Sequence, residues 1–169
     1  MTFDMIEAER KRLKIPVAKL CHTAGIASRT YERIRGHARC PRGDTIAKLT
    51  AALSQLKRGE KARATASRTL FRLVLGQLAL NAGMDVAEVL AHDPQQKATA
   101  DPRWMEIAKL RDLACYMLNA VLGLPNAEVA RAAGVTPPAI TMALRKVEDK
   151  REQHPELEAV FAMFEAAVR

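Results

Sequence analysis

Cysteine is scarce in this 169-residue chain: Cys21, Cys40 and Cys115 are an odd number at wide spacing. A disulfide framework is not expected, and a reducing cytoplasm is the natural setting. Long apolar runs are missing too. No segment reaches the about 18 consecutive apolar residues of a membrane helix, and the N-terminus MTFDMIEAERKRLK lacks the apolar core of a signal peptide, so neither membrane contact nor export is expected. The four histidines, His22, His37, His92 and His154, are scattered. There is no G-x-S-x-G, no H-E-x-x-H and no glycine-rich phosphate loop of the G-x-x-x-x-G-K-[ST] kind, which leaves enzymatic chemistry without a carrier. Cys21-His22 and His37-x-x-Cys40 hold zinc-ligand residue types, but Cys21 falls on the apolar face of an amphipathic segment and adjacent helical residues diverge. No metal or other cofactor is expected; stoichiometric zinc in the purified protein would overturn that.

Positive charge, by contrast, is abundant. The chain carries 27 Lys and Arg against 19 Asp and Glu, a net +8, and an excess of that size favours a polyanionic partner, nucleic acid before membrane. The excess is uneven: +7 over residues 1–60, +2 over 61–110 and −1 over 111–169. Electrostatic attraction to a phosphate backbone therefore belongs to the N-terminal third.

The periodicity is helical throughout, and the expected fold class is all-α, with two small helical domains that each contain a helix-turn-helix and are joined by a short basic linker. The expected boundaries are 1–58, a linker at 59–67, and 68–169, where the polar, basic stretch KRGEKARATASRT over 57–69 forms either that linker or the frayed start of the next helix. In the first domain, Phe3, Ile6, Arg10 and Leu13 mark one helix. Pro16 to Thr23 forms a second, opened by a proline where it loses no hydrogen bond. Ala24-Gly25-Ile26 makes a turn in which Gly25 is free to take positive φ. A third helix starts at Ala27 or Ser28 and stops at Gly36, with Tyr31 and Ile34 inward. Ser28, Arg29, Thr30, Glu32 and Arg33 are the expected base-reading side chains of a helix lying in the DNA major groove. Lys19, His37, Arg39 and Arg42 are placed for phosphates. A fourth helix packs Ile46, Leu49, Ala52, Leu53 and Leu56.

Ala24-Gly25-Ile26, Thr30-Tyr31, Ile34, Gly36 and Pro41 together resemble the lambda-repressor/Cro-like (Xre) family over residues 3–56. Ala27 departs from it where Ser or Thr usually caps the recognition helix, a loss of about 1 kcal/mol, and Arg35 stands where an acidic residue is common.

Downstream, Leu70 to Leu80 is an apolar helix stopped by Asn81-Ala82-Gly83, Asp85 to Ala91 a short helix, residues 92–102 a loop, and Arg103 to Leu122 a long helix. Pro125 to Ala133, the turn Gly134-Val135-Thr136 and a helix Pro137 to Arg151 make a second helix-turn-helix, with Thr136 as N-cap. Residues 155–168 close the chain, with Leu157, Val160, Phe161, Phe164 and Val168 inward. The runs NAGMDVAEVL, KLRDLACYML, EVARAAG and ALRKVEDKREQHPELE resemble the C-terminal DNA-binding domain of the bacterial replication initiator DnaA over about residues 68–168. That resemblance implies phosphate or minor-groove contacts from Lys109 and Arg111 and backbone contacts from Arg145 and Lys146; Thr136 and Thr141 are further expected phosphate or minor-groove residues. Thr136-Pro137-Pro138 replaces the triplet by which that family reads bases, so its box recognition is not implied.

The expectation is a sequence-specific regulator of transcription acting on double-stranded DNA, a cytoplasmic, nucleoid-associated monomer or homodimer. The pairing of the two modules resembles the GafA/GafY type of gene transfer agent activator. It implies activation of a phage-like gene cluster, with RNA polymerase and integration host factor as partners. Two other readings fit the residues: a replication-control protein acting at an origin, and an adaptor whose C-terminal half binds RNA polymerase or another protein.

Overall fold

The computed structural model describes residues 1–36, 41–94, 101–153 and 155–168. Among them are helices α1 Phe3–Arg12, α2 Val17–Ala24, α3 Ser28–Arg35, α4 Gly43–Asn81, α5 Val86–Ala91, α6 Pro102–Tyr116, α7 Asn126–Ala133, α8 Pro137–Gln153 and α9 Pro155–Val168, and no strand. The chain divides into two compact units, Met1–Arg63 and Ala64–Arg169. Of the two readings of residues 59–67, linker or start of a helix, the helical one holds: they lie inside α4. The physical reason is that Lys57, Arg58, Glu60, Lys61, Ala62, Arg63, Ala64 and Ala66 are good helix formers and only Gly59 and Thr65 interrupt their run.

The first unit closes on Ile6, Ile15, Leu20, Cys21, Tyr31, Leu49, Ala52 and Leu53. Helix α2 ends because Gly25 takes the left-handed conformation (φ 63°), returning Ile26 N–H to the Cys21 carbonyl at 2.9 Å. Helix α3 then starts at Ser28 with Ala27 in the extended conformation of an N-cap but offering no side-chain acceptor. The missing cap is tolerated because Tyr31, fully buried, and Ile34 anchor the other side of this helix.

The second unit packs around Phe71, Leu75, Ile107, Leu118, Val129, Ile140 and Phe161. Asp85 and Asp101 cap α5 and α6, accepting from Ala87 N–H at 2.8 Å and Arg103 N–H at 3.0 Å. The long helix expected to reach Leu122 widens into a π-turn over Met117–Val121. There Asn119 Nδ2 donates to the Leu124 carbonyl (2.8 Å) and to Asn126 Oδ1 (2.9 Å), tying the turn to the start of α7. Gly134 (φ 72°) ends α7, and Val135 N–H returns to the Ala130 carbonyl at 3.0 Å. That is the geometry of Gly25-Ile26 again. Arg151 fastens α8 to α9, with Nε and Nη2 on the Glu158 carboxylate at 2.5 and 2.6 Å, Nη1 on Tyr116 Oη at 3.1 Å and its guanidinium 4.9 Å from the Phe161 ring centroid.

Candidate nucleic-acid interface

Helix α3 exposes Ser28, Arg29, Glu32 and Arg33 and half-buries Thr30. Arg29 and Arg33, one turn apart, share a face, and neither makes a hydrogen bond or ion pair with another described residue. Glu32 differs from the expectation of a free reader: its carboxylate holds Arg35 at 2.6 Å on the same helix. The departure at Arg35 thus has a local partner. Lys19 and Arg42 are exposed in the same unit, and His37 and Arg39 lie outside the described residues. Residues 1–63 hold 15 Lys and Arg against 6 Asp and Glu, a net +9; residues 64–169 hold 12 against 13, a net −1.

The orientation of α3 depends on a group that sequence reasoning passed over. Glu7, on α1, is 9% exposed. It accepts from Arg10 Nε (2.8 Å) and Nη2 (2.7 Å) and from the hydroxyl of Tyr31 on α3. Arg10 Nη1 donates in turn to the Ile15 carbonyl at 2.6 Å, holding the loop between α1 and α2. The Arg10 guanidinium, opposed by burial and helped by the Tyr31 hydroxyl, pulls the Glu7 carboxyl down to about 2. Burial and the neighbouring carboxylate raise the Tyr31 hydroxyl, so it stays protonated and donating. The available signal was a carboxylate beside Ile6, on the apolar side of α1, three residues before an arginine.

In the second unit Lys109, Thr136, Thr141, Arg145 and Lys146 are exposed. Thr141 Oγ1 donates to the Pro137 carbonyl within α8 (3.4 Å), and Lys146 Nζ lies 3.8 Å from Asp112. Lys109 and Lys146 line one groove together with Lys150. Arg111 departs from the exposed contact the sequence implied: it is half-buried, and its Nη1 is enclosed without a partner. Burial pushes its guanidinium down from the ordinary arginine value against Asp112, Cys115 and Asp93. A spacing of two along α6 cannot say how deep each cation sits; the packing of α7 and α8 on α6 decides it.

Comparison of the chain with protein-family models, with curated proteins and with solved structures finds no match.

Proposed function

We propose that the chain is a DNA-binding regulator of transcription whose α2-turn-α3 is a helix-turn-helix, with α3 lying in the major groove. The observation that carries the reading is the pair Arg29 and Arg33, exposed on one face of α3 without an internal partner, on a unit of net +9. A guanidinium without an internal partner is suited to bidentate bonding with guanine O6 and N7, worth roughly 1–3 kcal/mol of discrimination each. Uncommitted Lys19 and Arg42 supply phosphate contacts beside it. The same turn geometry at Gly25 and Gly134 supports α7-turn-α8 as a second helix-turn-helix. There Pro137 and Pro138 open the helix, so its contribution is to the backbone through Arg145 and Lys146.

Two readers on one chain suit an extended asymmetric site, since binding of the first makes binding of the second intramolecular. We extend the reading to promoter activation of a phage-like cluster, with RNA polymerase and a DNA-bending protein as partners. A gel-shift series across salt tests the core of it: affinity falls steeply and linearly in log–log form, and a flat profile refutes phosphate contact. Genome-wide mapping of bound sites then separates promoters from origins.

The adaptor reading has one observation in its favour. The groove of about 230 Å³ bounded by Lys109, Lys146 and Lys150 has an apolar floor of Leu110, Leu113 and Val147, a composition that also suits a protein ligand. Retention of full DNA affinity by an R145A/K146A double variant would favour it.

A further inference from the structure

Among the described residues, three side-chain polar atoms are buried without a partner: His92 Nδ1, Trp104 Nε1 and Arg111 Nη1. Two of the three residues, His92 and Arg111, line the same cleft in the second unit, a space of about 270 Å³. Arg68 and Arg72, one turn apart on α4, and Arg131 on α7 line it too. All three are exposed and make no hydrogen bond or ion pair with a described residue. Four arginines from three helices thus line one concavity within a unit whose net charge is −1. Like charges gathered this way repel each other, and leaving a buried guanidinium nitrogen without an acceptor costs stability. An anion in the cleft relieves both. Phe71, Leu75 and Val89 supply apolar wall, so the space accommodates more than a bare ion.

We propose that this cleft is a binding site for a phosphoryl group, with Arg68, Arg72 and Arg131 at the rim and Arg111 and His92 within. The planar guanidinium matches phosphate oxygens bidentately, and a cleft lined by four arginines offers more donors than the two oxygens of a carboxylate require. The phosphoryl group comes either on a small free molecule, such as inorganic phosphate or a phosphate monoester, or on the backbone of bound nucleic acid. The first source requires no DNA binding by α3, so this site and the reading above fail independently.

The test is a fixed-pH titration of the full chain, following the His92 ring resonances by NMR, with inorganic phosphate in one arm and a duplex from the mapped sites in the other. The comparison variant is R68Q/R131Q, which changes only exposed side chains and leaves the core intact. A saturable His92 shift with phosphate, weakened about tenfold or more in the variant, assigns a free ligand; each charge-assisted bond lost is enough for that change. A shift with duplex alone, again lost in the variant, assigns a backbone phosphate. His92 resonances that stay still in both arms, or that move equally in the variant, overturn the proposal.

Discussion

Replacing Glu7 with alanine removes the acceptor that two other groups depend on. The Arg10 guanidinium, its side chain 12% exposed, keeps the Ile15 carbonyl and its contact with the Tyr31 hydroxyl but no carboxylate, and the Tyr31 hydroxyl, in a fully buried side chain, loses its acceptor. Breaking a buried pair from one side costs about 3–5 kcal/mol, and the remaining solvent access at Arg10 places this site at about 3. The Arg10 guanidinium pulls the Glu7 carboxyl from an ordinary 4.5 down to about 2, which at about 1.4 kcal/mol per unit is on the order of 3–4 kcal/mol. The carboxyl is depressed on folding, so its contribution is complete above about pH 4.5 and disappears as pH falls toward 2. Hydrogen exchange followed by mass spectrometry resolves the effect locally. In E7A the amides of α3 should exchange roughly a hundredfold faster, those of α6 should be unchanged, and the acid-dependent loss of α3 protection between pH 4.5 and 2 should vanish. A change of less than about threefold in α3, or a surviving acid step, would refute the clamp.

Ala27→Ser restores a side-chain acceptor at a residue already in the extended N-cap conformation, and urea denaturation should show the first unit gaining about 1 kcal/mol. Gly134→Ala should destabilise the second unit, seen through fluorescence of the lone Trp104: the backbone is left-handed there and the new Cβ would sit 3.3 Å from Pro94 Cγ. Gly25→Ala meets nothing within 4 Å, so it should cost only the backbone strain, roughly 1–2 kcal/mol, and less than Gly134→Ala. Replacing Arg29 or Arg33 with alanine should flatten discrimination among DNA sequences. R145A/K146A should instead weaken all sequences alike and lower the salt slope by about 2. Equal losses on every sequence from the first pair would remove α3 from the groove.

Helical class, the glycine turns and the burial of Tyr31 and Ile34 on α3 were all legible in the residues, because 3.6-residue periodicity and a glycine's freedom at positive φ are properties of short segments. So was the exposure of Arg29 and Arg33. The helical state of residues 59–67 was less so: their polarity looked like a linker, yet helix propensity carries through a polar stretch that is bounded by helix on both sides. The π-turn at Met117–Val121 was hidden because its five residues, MLNAV, carry the same apolar periodicity as the helix before them.

Local pattern, then, determined which segments are helices and which faces are apolar, since those follow from the order of neighbouring side chains. Only tertiary packing decided the rest. It joined Glu7 and Arg10 to Tyr31, 24 positions from Glu7. It withdrew Arg111 from the surface and left Lys109 there, and it gathered Arg68, Arg72 and Arg131 around one cleft. Burial and electrostatic neighbourhood are set by which helices meet, and residues far apart along the chain share an environment only once it has folded.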